Sequence, residues 1–372
     1  MERRKSMTPD INIDALAEQY YADRDPQLDD PAAEDAQEED ETEEDELETE
    51  MKTWTYTRTP WDGNPAADRD QFIGGSDAGT ILGLNPFKSA YTLYLEKTGK
   101  LPPEDLSGKL SVWFGSEEEE IVAKRFCLET GKKARRSLLS YGIAEYPFLR
   151  GHVDRLIVGE NEGLECKTTG SWNRTNFCNG DVPPAHYAQC QFYMLVTGKP
   201  GWWYAVKRDN NEFFYTHIQR DNEYISEMLD QLIEFWHRVQ DKYWPEGDID
   251  GSGSTSDSLS KLYPQGDDFG TILLSPDDDE LLTTRAQLKQ QIKELQAQAD
   301  AIDNQLKDAL KDAERAESEH FRVSWVNTHP KPRFNAEAYK NANPSEYEKY
   351  LEDGKPTRML RIAEKKLKKE NN

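Results

Sequence analysis

Asp154, Glu165 and Lys167 stand in the order D-x(10)-E-x-K. If they lie on two adjacent strands, three charged side chains meet at one sheet edge. Residues i and i+2 of a strand face the same side, so Glu165 and Lys167 point together and Cys166 points away into packing. The Cys166 backbone carbonyl is left free to act as a further oxygen ligand. The chemistry such a set suits is hydrolysis of a phosphodiester. A hydrated Mg²⁺ takes hard oxygen ligands, and one or two carboxylates suffice. Asp154 and Glu165 would hold it, the ion would lower the pKa of its water, and Lys167 would orient that water and stabilise developing charge. The spacing by itself is weak, because a chain with 71 Asp and Glu produces such patterns by chance. The bland alternative is a surface strand carrying a Glu–Lys pair.

Neighbouring residues add to the set. Glu119 lies in a helical pattern whose buried face is marked by Ile121, Val122 and Phe126, so its carboxylate is within reach of a metal at the sheet edge. It is also one of four consecutive Glu, and acids favour helix N-termini in any case. Gln189 and Tyr193 lie one turn apart on one helix face, where an amide can bond a phosphate or a metal-bound water. Trp172, in the loop after Lys167, is a candidate for stacking on bases; Trp202 and Trp203 point to opposite strand faces, and core positions suit most of the other tryptophans.

The elements that must position these groups are legible as patterns. Gly74-Gly75 makes a turn, Ser76 or Asp77 caps the helix after it, and Asn85-Pro86 ends that helix. A second helix ends at Gly99. Residues 116–130 predict a helix capped by Ser116. Residues 148–158 predict one strand, with 163–169 as its neighbour across the turn GENEG. A helix over 185–197, two strands split by Asn210-Asn211 and a helix over 222–242 follow. The order predicts an α/β fold with a central mixed sheet flanked by helices. Residues 248–278, rich in Gly, Ser and Asp, predict a linker or long loop. Leu288, Ile292, Leu295, Ala299, Ile302, Leu306, Ala309 and Ala313 alternate steps of 4 and 3, a heptad seam that would pair with another chain or fold back as a helical arm. The expected divisions are a tail over 1–51, a core over 52–247, the linker over 248–278, the heptad helix over 279–318 and a small α+β extension with a basic tail over 319–372.

Composition bounds the rest. Residues 1–51 hold 20 Asp and Glu against four Lys and Arg, so −16 of the net −25 sits there. Such a segment cannot bury enough surface to order itself. It would keep the chain soluble, compete with DNA for a basic groove, or bind a basic partner. Cys127, Cys166, Cys178 and Cys190 contain no CxxC, which argues against zinc ribbons and iron–sulfur clusters. Scattered cysteines fit a reducing compartment. The absence of an 18-residue apolar run predicts no membrane span and a cytoplasmic chain.

The motifs resemble a known family. IGGSDAGTILGLNPFKSAYTLYLEKTG resembles the opening motif of YqaJ-type viral recombinases, phage nucleases of the lambda-exonuclease group within the PD-(D/E)xK superfamily. GSEEEEIVAKRF, GHVDRLI with GLECKTT, and HYAQCQFYMLVTG resemble the family's later motifs, in family order, over about residues 65–245. FRVSWV with FNAEAYKNANPSEYEKYL resembles an extension common in phage members. The resemblance implies a restriction-endonuclease-like core. It implies metal ligands at Asp154, Glu165, the Cys166 carbonyl and Glu119 (with Glu118 as the lesser choice), catalysis by Lys167, and a polar partner at Gln189 supported by Tyr193. Arg69 and Ser76, seven residues apart, match an Arg and a Ser that hold a terminal 5′-phosphate in lambda-type members. The implied activity is a Mg²⁺-dependent 5′→3′ exonuclease, with Mn²⁺ as a substitute. It would act on linear double-stranded DNA ends and leave 3′ overhangs for a single-strand-annealing protein, as a homo-oligomer in a bacterial host cell. Two other readings stay open: an endonuclease of the same superfamily, and a non-catalytic assembly protein on a nuclease fold.

Overall fold

The structure is a computed structural model that describes residues 54–61, 68–170, 181–266, 270–329, 331–352, 354 and 358–363. The acidic segment 1–51 and Trp172 lie outside them. The chain divides after Leu262 into two compact units.

The first unit holds two sheets. Strands β1 (Tyr56–Pro60), β3 (Leu139–Ile143) and β4 (Tyr146–His152) form an antiparallel sheet in the order β1-β3-β4. The larger sheet runs β2-β5-β6-β7-β8, from β2 (Ala134–Arg136), β5 (Arg155–Ile157), β6 (Glu162–Thr169), β7 (Gly201–Arg208) and β8 (Glu212–Gln219). It is mixed, as expected: β6 and β7 are parallel and every other pair is antiparallel. Helices α1 (Gly75–Ile81), α2 (Ala90–Lys97), α3 (Leu110–Thr130), α4 (Pro184–Thr197) and α5 (Asn222–Asp241) flank it.

The two faces of the large sheet are filled differently. Leu164 and Cys166 of β6 pack with Val122, Ala123 and Phe126 of α3. Trp202, Tyr204 and Val206 of β7 belong to the main core, with Cys190, Phe192 and Met194 of α4. Helix α5 buries Ile225, Met228, Leu229, Leu232, Phe235, Trp236 and Val239, a 3- and 4-residue spacing that gives one apolar stripe. Each such side chain contributes about 1.5–3 kcal/mol. Trp202 and Trp203 fall on opposite faces, and both pack into core.

Three expectations need correction. The single strand over 148–158 is two strands in two sheets, with Val153 and Asp154 at the switch. The β5–β6 ladder runs Leu156↔Gly163 and Arg155↔Leu164. Beyond it, Asp154 Oδ2 accepts the Cys166 N–H at 2.8 Å, the bond a continuing strand would have offered from its backbone. Helix α3 starts at Leu110, so Ser116 is interior and its hydroxyl bonds the Val112 carbonyl instead of capping. Within the expected linker 248–278, residues Gly253–Leu262 form helix α6. Hydroxyl chemistry explains it: Ser254, Thr255 and Ser258 lie on one helix face turned to Ser89 and Thr92. Thr255 bonds Ser89, and Ser254 and Ser258 bond Thr92, at 2.8–2.9 Å.

The second unit contains α7 (Pro276–Leu310), the hairpin β9 (Arg315–Glu317) with β10 (Arg322–Ser324), and short helices α8 (Ala336–Ala342) and α9 (Pro344–Glu348). Helix α7 opens with a capping box between Ser275 and Asp278. No helix among the described residues is long and apolar enough to cross a membrane.

Candidate active site

Strand β6 presents Glu165 and Lys167 on one face and Cys166 on the other, the alternation expected from the sequence. Glu165 is 1% exposed, and neither of its carboxylate oxygens has a hydrogen-bond partner of ordinary geometry. Its nearest counter-charge is Lys167, with Nζ 2.5 Å from Oε1. An ionised carboxylate buried with a single cation and open lone pairs is unstable by itself, and its chemistry fits a divalent ion.

Asp154 completes the acidic pair. Burial pushes its carboxyl up first and the Glu165 charge second, against Lys167 and the Cys166 N–H, to about 7. Burial works against the Lys167 charge, but Glu165 and Asp154 outweigh it and raise Lys167. His186 stands behind them. Burial and then Lys167 push its imidazole down to about 3, and Nδ1 lies 2.8 Å from the Tyr204 hydroxyl. The imidazole is therefore neutral.

Glu119 faces this centre from α3 but is engaged. Arg155, 3% exposed, bonds Glu119 through Nη1 and Glu120 through Nη2, and Nη1 also bonds the Asp154 carbonyl at 2.7 Å. Burial, then Asp154, raises the Glu119 carboxyl, and Arg155 opposes this. The structure thus puts Glu119 beside Asp154 and pairs it with an arginine. Glu118 turns to Lys207 at 2.9 Å. Among the described residues, no three His, Cys, Asp or Glu side chains gather to cage an ion. The donor set is Asp154 and Glu165, a number that suits hydrated Mg²⁺, which keeps several waters.

A cleft of about 460 Å³ leads away from Asp154 and Glu119. Arg69, Ser76, Arg136, Arg150 and Tyr193 line it, so the expected end-binding residues share one cavity with the acids. Arg69 Nη2 bonds Asp77 at 2.8 Å and Ser76 Oγ at 3.3 Å. Lys97 holds the turn from beneath through the Arg69 and Phe72 carbonyls at 2.6 Å and Asp77 at 3.1 Å. Backbone bonds from Ile73 to β4 fix that turn beside Arg150. Gly75 is needed there, since a Cβ would meet the Tyr193 ring at 2.6 Å. Gln189 and Tyr193 come together as expected, Nε2 to OH at 2.9 Å. Both are buried.

Sequence reasoning missed Arg136, Arg150 and Arg155. Arg150 and His152 carried a signal, because they alternate along β4 toward the cleft. Arg136 and Arg155 carried none, since only the fold brings them to the acids.

Asp154 and Glu119 line an arginine-rich cleft, and the Glu165–Lys167 pair lies beside Asp154 on a helix-flanked mixed sheet. A model of the YqaJ-like viral recombinase domain matches residues 66–200, which contain Asp154, Glu165, Lys167 and the arginines of the cleft. The uncharacterized protein YqaJ of Bacillus subtilis (strain 168) is 36% identical over 290 residues, covering 76% of this chain and 88% of that protein. The chain belongs to the YqaJ-like viral recombinase family. Among solved structures it is similar to an alkaline exonuclease from Laribacter hongkongensis (19% identity, 47% of this chain and 90% of that one, TM-score 0.41). It is also similar to a phage-related exonuclease from Haemophilus somnus 129PT (13% identity, 46% and 94%, TM-score 0.35).

Proposed function

We propose that this protein is a metal-dependent exonuclease that digests one strand of linear duplex DNA from its 5′ end. The observation that carries the reading is the buried carboxylate of Glu165, with Lys167 as its counter-charge, beside Asp154, which itself lines a cleft rich in arginines. Asp154 and Glu165, with the Cys166 carbonyl, would hold a hydrated Mg²⁺ or Mn²⁺, which supplies a water of lowered pKa and positive charge against the phosphate. Lys167 keeps its proton at Nζ and presents it toward the scissile phosphate and the attacking water. Arg155 holds Glu119 beside Asp154. Arg136 and Arg150 neutralise backbone phosphates along the cleft, and Arg69 with Ser76 receives the terminal phosphate. The 3′ overhang would pass to a single-strand-annealing protein in the cytoplasm of a bacterial host.

Linear duplex with labelled 5′-phosphate or 5′-hydroxyl ends, and closed circular DNA, tests the whole reading. The expected result is digestion of the linear duplex in Mg²⁺, faster from 5′-phosphate, with the circle spared and all cutting stopped by chelator. Lys167→Ala abolishes digestion and keeps DNA binding. Nicking of the circle would replace this reading with an endonuclease, and activity surviving Lys167→Ala would remove the assigned centre.

A further inference from the structure

We propose that α7 is a self-association device, in which two copies of this chain pair their helices antiparallel along the heptad seam. The proposal stands independently of the nuclease reading. Helix α7 runs 35 residues, and the large apolar side chains of its seam are bare, from 43% exposed at Leu306 to 63% at Leu295. A run of large apolar side chains at heptad spacing on a solvated helix marks an interaction surface.

The seam residues choose both the partner and its direction. The core positions read Arg285, Leu288, Ile292, Leu295, Ala299, Ile302, Leu306 and Ala309. Two parallel copies in register would stack Arg285 on Arg285 and Ala299 on Ala299. The first layer buries like charges, and the second leaves a gap. Two antiparallel copies centred between Leu295 and Ala299 remove both faults. Leu288 then meets Leu306 of the second copy, Ile292 meets Ile302, and Leu295 meets Ala299. Arg285 faces Ala309, which leaves room for its stem to run out to water.

The flanking positions agree with the same register. One flank carries Lys289, Gln296 and Asp303, and the other Gln291, Gln298 and Gln305. In the antiparallel arrangement Lys289 lies against Asp303 of the second copy, twice per pair, and glutamines face glutamines. In the parallel arrangement Lys289 faces Thr284, and neither charge finds an opposite one. Charge and volume therefore complement each other in one orientation only, and the complementary surface is another copy of α7.

Sedimentation of the full chain in chelator, across micromolar concentrations, tests this. The wild type should sediment as a reversible oligomer, and Leu295→Asp should weaken its association at least a hundredfold. Lys289→Asp should weaken it about tenfold, from two lost pairs and two new repulsions, and Lys289→Asp with Asp303→Lys should restore it. Direction is read by disulfide trapping. Leu288→Cys chains mixed with Leu306→Cys chains should cross-link to each other, and Leu288→Cys alone should not, because its copies stand about 27 Å apart at 1.5 Å per residue. A monomeric wild type, an oligomer indifferent to Leu295→Asp, a charge swap without rescue, or self-cross-linking of Leu288→Cys would each overturn the proposal.

Discussion

Replacing Lys167 by Met isolates the electrostatics of the acidic centre. Methionine keeps most of the stem and removes the ammonium. In the wild type Nζ is 2.5 Å from Glu165 Oε1, and Oε2 of the same carboxylate has no partner. Removing one member of a buried pair costs about 3–5 kcal/mol, because the other charge stays uncompensated. The Lys167 side chain is 28% exposed, so solvent screens part of this and the lower end applies, about 3 kcal/mol. The loss should be largest above pH 7, where Asp154 is also charged. Glu165→Gln in the Lys167→Met background should then recover about 2 kcal/mol, whereas the same change in the wild type destabilises by about 1 kcal/mol, since Lys167 loses its partner. Urea unfolding of the four proteins in chelator measures the cycle. Millimolar Mg²⁺ should rescue Lys167→Met more than the wild type, because the ion replaces the missing charge. A loss under about 1 kcal/mol, or an equal effect of Glu165→Gln in both backgrounds, would refute the argument that this ion pair holds the centre together.

Asp154 makes stability depend on pH in the opposite sense to an ordinary surface acid. Its folded pKa, about 7, lies above the usual 3.8, so the metal-free native state takes up a proton that the unfolded chain does not. Stability should fall by about 2–4 kcal/mol as pH rises from 4 to 8, and Asp154→Asn should flatten that slope; a wild-type curve rising over the window contradicts the assignment. Arg69→Ala should erase the preference for 5′-phosphate over 5′-hydroxyl ends, about tenfold in initial rate, with little change on long substrates far from an end. An unchanged preference would show that Arg69 serves only Asp77. Thr92→Val removes the bonds from Thr92 to Ser258 and Ser254, leaving Ser254 only the Ser89 N–H, and should cost about 1–3 kcal/mol, measured by thermal or urea unfolding. A neutral substitution would mean that α6 docks by other means.

Much of β6 was legible because β geometry is strict. A period of two puts Glu165 and Lys167 together and Cys166 in packing, whatever the rest of the fold does. The helix pair Gln189 and Tyr193 was legible for the same reason, with a period of 3.6. What the sequence concealed is what depends on where strands end. FLRGHVDRLIV reads as one unbroken strand, and nothing local says that it leaves one sheet at Val153 and enters another at Arg155. That switch makes Asp154 a side-chain substitute for a ladder bond, and it turns Arg155 toward Glu119 and Glu120. The same limit hid α6, since Ser and Thr suit a flexible loop and a hydroxyl-bonded helix face equally well until Ser89 and Thr92 are placed beside them.

The thiols beside the acidic centre have a further consequence. Cys166 and Cys190 are buried within one residue of Glu165 and one helical step of Gln189, and burial pushes both thiols well above their ordinary range. Peroxides and alkylating agents attack the thiolate, which neither sulfur forms at cellular pH. Oxidants should therefore leave β6 chemically silent, and Cys127, half-buried on α3, is the more accessible of these three thiols.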